Sequence, residues 1–127
     1  MIKQHGMTPL INVEDTPRSI EFYRDVLGFE VVNSMEVEGA VRWARVQSGA
    51  VSLMINQPEG ADSTERRTRG KEYSDVLFFF DVEDARAAQA ELAEQGLTVD
   101  RPVHEPYGWE FHLRDPDGYA LGFTDQR

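Results

Sequence analysis

Trp109-Glu110-Phe111-His112-Leu113-Arg114-Asp115-Pro116-Asp117-Gly118-Tyr119-Ala120-Leu121-Gly122-Phe123 places two runs of strand character on either side of Asp-Pro-Asp-Gly. Proline fixes one backbone angle and glycine admits φ > 0, so the four residues predict a tight hairpin that sets the register of the last two strands. The stretch also has a counterpart upstream. Moving it back by 69 residues lays Gly118 on Gly49, Gly108 on Gly39 and Glu105 on Glu36, and brings Val82-Glu83-Asp84 onto Val13-Glu14-Asp15. Apolar pairs such as Leu10/Phe79 and Ile11/Phe80 follow in the same frame, so the chain reads as two copies of one unit.

Each copy begins with an apolar run, Met7 to Val13 and then Val76 to Val82. In the first copy Glu14-Asp15-Thr16-Pro17 starts a helix, with Thr16 as the expected cap and Pro17 in the first turn. Ile20, Tyr23, Val26 and Leu27 recur at helical spacing, and Gly28 is the stop. Asp84 caps the second helix, which turns Ala85, Ala88 and Leu92 inward and ends at Gly96. Three strands follow each helix: Phe29–Val32, Ala40–Val46 and Val51–Ile55, then Leu97–Val99, Trp109–Arg114 and Tyr119–Thr124. The expectation is an α+β fold of two βαβββ modules in tandem, forming a concave mixed sheet within one domain. Module one spans residues 6–57, a polar connector 58–74 and module two 75–125. The connector holds Arg66, Arg67, Arg69 and Lys71 but too little apolar surface to pack, and reads as a solvated linker or a lid over a pocket.

A chain of 127 residues can bury about two thirds of its unfolded surface, so core packing alone suffices for folding. With no cysteine, disulfides, thiolate metal sites and cysteine nucleophiles are excluded. Met1–Gly6 lacks the apolar core of a signal peptide, and no apolar run reaches the ~20 residues of a membrane span, so a cytoplasmic protein without membrane association is expected. A net charge of −10 argues against nucleic acid, suits solubility, and is compatible with cationic small molecules.

The paired βαβββ pattern, Ile20-Glu21-Phe22-Tyr23-Arg24-Asp25-Val26-Leu27-Gly28-Phe29 and the late Asp115-Pro116-Asp117-Gly118 together resemble the vicinal oxygen chelate superfamily, which unites glyoxalases, bleomycin-resistance proteins and extradiol dioxygenases. The resemblance covers nearly the whole chain outside the connector. It implies a concave cup of sheet where metal-using members hold a divalent ion by side chains from the first and last strand of each module. The corresponding positions are Thr8, Leu53, Leu77 and Gly122, two pairs 69 apart, and none is His, Glu, Asp or Gln. Neither the metal nor any other cofactor is therefore expected, and the closest pattern is that of metal-free bleomycin-resistance-like members.

Strand alternation places Leu10, Val51, Leu53, Ile55, Leu77 and Phe79 in the cup, an apolar concavity suited to a small molecule. Trp43, Leu53, Leu77, Phe79, Tyr107 and His112 are the expected ligand contacts, with Trp43 and His112 taken as equivalent positions and Trp43 able to stack a planar or cationic ligand. Trp109 reads as a plug of the sheet, and His5 and His104 as surface residues. The expected function is metal-independent sequestration of a small molecule by a homodimer. The alternative is a lyase or isomerase of the glyoxalase or dioxygenase type, with His112 or Asp75 as general base, or metal-dependent if the four positions are misplaced.

Overall fold

The computed structural model describes residues 1–60 and 76–125. The chain forms two compact units, Met1–Ser63 and Thr64–Arg127. Most of the expected connector, together with Asp75, lies outside the described residues.

The first unit runs β1 (Leu10–Asn12), α1 (Thr16–Glu21) continuing into a π-helical turn (Phe22–Val26), β2 (Glu30–Val37), β3 (Ala40–Ser48) and β4 (Val51–Asn56). Its sheet has the order β1-β4-β3-β2, with β1 parallel to β4 and the other pairs antiparallel. The helix is capped one residue earlier than expected. Asp15 Oδ1 accepts the Arg18 N–H at 3.2 Å, and Thr16 is already helical. The Thr16 N–H is instead taken by Gln57 Oε1 at 2.9 Å, from the end of β4. Helix α1 lays Ile20 and Tyr23 on one face of the sheet, where Ile11, Ala44, Val46, Leu53 and Ile55 are buried with them. Tyr23, fully buried, meets Phe29 edge-on at 5.8 Å. Strand β2 is the sheet edge, exposed along its whole length despite carrying Val31, Val32, Met35 and Val37.

The second unit repeats the plan with β5 (Leu77–Asp81), α2 (Ala85–Glu94), β6 (Val103–Glu105), β7 (Gly108–Arg114) and β8 (Ala120–Thr124), in the order β5-β8-β7-β6. Asp84 caps α2 as expected, accepting from the Ala87 N–H at 3.0 Å. The core is more aromatic. Phe111 and Phe80 both stack on Phe123, at 5.0 and 5.3 Å, beside Leu113, Leu121 and Leu92. The expected strand Leu97–Val99 does not form. Leu97 N–H turns back to the Leu92 carbonyl at 3.4 Å, Asp100 alone bonds β7, and Pro102 has no N–H to give, so the strand begins at Val103.

The Asp-Pro-Asp-Gly turn closes as its composition predicts. The Gly118 N–H reaches the Asp115 carbonyl at 2.9 Å, and Asp115 Oδ1 accepts the N–H groups of Asp117 and Tyr119, each at 2.9 Å. Asp115 is buried, yet its side-chain oxygen is satisfied by backbone donors.

Hydrogen bonds show how the two copies correspond. Val13 N–H to Asn56 O in the first unit matches Val82 N–H to Thr124 O in the second, and Gln57 N–H to Arg42 O matches Asp125 N–H to Trp109 O. The offset of 69 therefore holds for the first strand and the helix start, drops to 67 for β3 and β7, and returns to 68 for β4 and β8. The shorter second helix and its exit remove two residues, and the longer Asp-Pro-Asp-Gly turn restores one. A single offset across the whole repeat thus puts the last strands out of phase by one residue, which exchanges their faces.

Candidate functional site

The correction falls on the positions that matter for function. Leu53 and Ile55 pair with Val46 and Ala44 on the helix-facing side and belong to the core. Gly122 pairs with His112 and Phe79 on the side away from the helix, and its counterpart in the first unit is Met54, which pairs with Arg45 and Leu10. Leu53 is thus not a candidate contact. Trp43 and His112 are not equivalent either: Trp43 corresponds to Glu110, and His112 to Arg45.

In the first unit the face away from the helix carries Trp43 and Arg45 on β3, Ser52, Met54 and Asn56 on β4, and Leu10 and Asn12 on β1. Arg45 Nε donates to Ser52 Oγ at 2.8 Å and Nη2 donates to Thr8 Oγ1 at 3.1 Å, so the guanidinium is held from two sides. Asn56 Nδ2 donates to Asn12 Oδ1 at 3.0 Å. Trp43 is half-buried at the middle of this surface.

In the second unit the same face carries Leu77 and Phe79 on β5, Glu110 and His112 on β7, and Gly122 on β8. Gly122 makes room for an aromatic ring. A Cβ there would lie 2.7 Å from Phe79 Cε1 and 3.2 Å from His112 Cδ2, while the Phe79 and His112 rings meet edge-on at 6.0 Å. His112 Nε2 sits 2.8 Å from Glu110 Oε2, and its Nδ1 lies 3.6 Å from Asp100 Oδ2. Glu110, almost buried, receives the Tyr107 hydroxyl on its other oxygen. That hydrogen bond, reinforced by burial and by the charges of Glu110 and Glu105, pushes the Tyr107 phenol up to about 12.

Trp109 does not plug the sheet. Its ring packs against His104 at 5.0 Å, and the Arg86 guanidinium lies 4.5 Å over it. Together with Glu83, Tyr107 and Asp125 they line a cavity of about 750 Å³ at the start of α2. His5 is exposed, as read from the sequence. Glu110, Arg45 and Asp100 were missed as site residues, although alternation along β3 and β7 carries the signal: each of the first two stands two places from a chosen residue, Trp43 or His112, and so shares its face.

Residues 5–123 match the sequence model of the Glyoxalase/Bleomycin resistance protein/Dioxygenase superfamily. The chain belongs to this superfamily. Among curated proteins it is similar to the uncharacterized protein YraH of Bacillus subtilis, 27% identical over 112 residues that cover 83% of this chain and 85% of YraH. Among solved structures, UcmS2 superimposes with a TM-score of 0.81 at 27% identity, over 98% of this chain and all of UcmS2. The bleomycin-binding protein from bleomycin-producing Streptomyces verticillus, complexed with copper(II)-bleomycin, superimposes with a TM-score of 0.72 at 26% identity over the whole of both chains.

The superfamily includes metal-dependent members, and the corrected phase allows a direct test of this chain's donor set. The four symmetry-related positions are Thr8, Met54, Leu77 and Gly122, which offer one hydroxyl, one thioether and no charge. A divalent ion in this superfamily member would meet neither carboxylate nor imidazole at those positions. Among the described residues no three His, Asp or Glu side chains group to hold an ion. The residues present do not fit the metal. No helix among the described residues is long and apolar enough to cross a membrane.

Proposed function

We propose that this protein binds and sequesters a small, partly planar organic molecule by mass action, without making or breaking a bond. The observation that carries the reading is the exchange of roles at the superfamily's metal positions. Neither a carboxylate nor an imidazole stands there, and Gly122, one of the four, makes space for the Phe79 ring beside His112. Trp43 offers a second aromatic surface on the corresponding face of the first module, with Leu77 and Tyr107 as further contacts in the second. Similarity to a protein that binds bleomycin supports the same reading. A cationic ligand is not retained for the first module, because Arg45 shares a face with Trp43 and would repel it.

The protein is taken to act as a cytoplasmic homodimer. Native mass spectrometry of material purified without added metal or chelator tests the proposal. A dimer carrying an organic mass and no metal is the expected result, and ligand affinity should be unchanged by EDTA. One metal ion per subunit would refute metal-independent binding. Trp43→Ala should weaken binding by about 1 kcal/mol or more, measured by calorimetry with the co-purified compound.

The Glu110–His112 pair favours a second reading. A carboxylate 2.8 Å from an imidazole nitrogen brings an acid and a base together on one face, and a cofactor-free lyase or isomerase could use the pair. Turnover lost in His112→Ala with binding intact would select that reading.

A further inference from the structure

Arg45 is a half-buried cation on the sheet face away from the helix, held by two hydroxyls and by no carboxylate among the described residues, in a chain with 23 acidic and 13 basic residues. Its partners are the hydroxyls of Ser52 and Thr8, which orient the guanidinium without neutralising it. Of the five N–H donors of an arginine, one on Nε and one on Nη2 are used, and three are left directed elsewhere. The side chain is half-buried, so the charge is partly withdrawn from water and fixed in direction.

The second module shows what is missing. Its equivalent residue, His112, lies 2.8 Å from the Glu110 carboxylate and 3.6 Å from that of Asp100. The position that Glu110 fills there is taken in the first module by Trp43. Where one module supplies a carboxylate of its own, the other supplies an aromatic ring beside an uncompensated guanidinium.

We propose that Arg45 is an anion-recognition residue that receives a carboxylate of the ligand, while Trp43 stacks the ligand's ring. This rests on the small-molecule-binding reading and assigns the ligand's class, an aromatic acid or a larger planar molecule bearing a carboxylate. Residues two apart on one strand stand roughly 7 Å from each other on the same face, a span that suits a carboxylate and the far ring of a fused aromatic acid. A guanidinium with N–H groups to spare accepts a carboxylate through paired hydrogen bonds, and its pre-orientation by Ser52 and Thr8 lowers the ordering cost of binding. The superfamily's metal would bring positive charge to the ligand; here a side chain anchored on the Thr8 hydroxyl brings it.

The test compares 2-naphthoate with its neutral analogue 2-naphthamide, following quenching of Trp43 fluorescence in a Trp109→Phe background. Naphthoate should bind on the order of 10-fold more tightly than naphthamide. Arg45→Met, checked for folding by circular dichroism, should abolish the preference while naphthamide binding persists. Ser52→Ala should reduce the preference a few-fold by loosening the guanidinium. Equal binding of the two probes, or a preference that survives Arg45→Met, overturns the assignment while leaving sequestration intact. Failure of both probes to bind also overturns it, and sequestration is then judged separately by the native mass of the purified protein.

Discussion

A methyl group at Gly108 would lie 2.8 Å from Asp125 Oδ1 and 2.9 Å from the Asp125 carbonyl oxygen, on a backbone with φ of 144°. Neither contact can be relieved cheaply, because the same Asp125 holds the Trp109 N–H at 2.7 Å. Gly108→Ala should therefore cost about 2–3 kcal/mol in urea unfolding, against about 1 kcal/mol for Gly39→Ala, where φ is also positive but nothing lies within 4 Å. Tyr107 gives a prediction in pH. Its hydroxyl proton is held by Glu110 in the folded state, so folding raises its pKa from the usual 10 to about 12. The sign follows: the stabilisation is complete below about pH 10 and is lost as the pH rises toward 12. Glu110→Gln should bring the phenol's ionisation down, read as the absorbance step near 295 nm that is missing in Tyr107→Phe. An ionisation that does not move in Glu110→Gln would show that Glu110 is not its cause.

Helices α1 and α2 begin with the same device. An aspartate caps the first turn, and a side chain just beyond the last strand takes the N–H of the first helical residue: Gln57 for Thr16 and Asp125 for Ala85. Asp125 does more than Gln57, since its other oxygen accepts from Trp109. Asp84→Ala should cost about 1 kcal/mol, as helix caps do. Asp125→Ala should cost about 2 kcal/mol, because it leaves two partly buried N–H groups without an acceptor. Thermal denaturation of the two variants would order them; equal losses would mean that Asp125 acts only as a cap. The same elements mark what local sequence can convey. Asp84 was legible because its neighbours offer no rival cap. Asp15 was not, because Thr16 is also a cap by type, and the acceptor of the Thr16 N–H, Gln57, lies 41 residues away. The expected strand at Leu97–Val99 failed for a similar reason: β-branched content was visible, but the helix end's claim on the Leu97 N–H was not.

Duplication was the most legible feature of the whole chain, and it was also the source of the main error. Helix starts and turns recur 69 apart, so the α+β class and the Asp-Pro-Asp-Gly hairpin could be read directly. A constant offset cannot register residues lost and regained between those landmarks, and because strands alternate with period two, a one-residue slip sent Leu53 to the wrong face. The slip did not touch Trp43, Phe79 and His112, which stand on other strands and share the face away from the helices. Arg45 did not surface because its importance lies in what surrounds it, a property of packing rather than of residue type.

The exposed edge strand β2 has a consequence for the protein as a colloid. Val31, Val32, Met35 and Val37 stand 40–62% accessible along a strand whose outer side pairs with no strand among the described residues. Such an edge invites pairing between copies. At neutral pH a net charge of −10, with Glu30, Glu36 and Glu38 in or beside the strand, keeps copies apart. Near the isoelectric point, at about pH 4.6, that repulsion vanishes. Light scattering during acidification should rise close to this pH, and Val32→Lys should shift or suppress the rise. A preparation that stays clear through pH 4.6 would show that the strand is shielded. In storage and crystallisation the composition of the buffer, more than the stability of the core, would then decide how long the solution remains monodisperse.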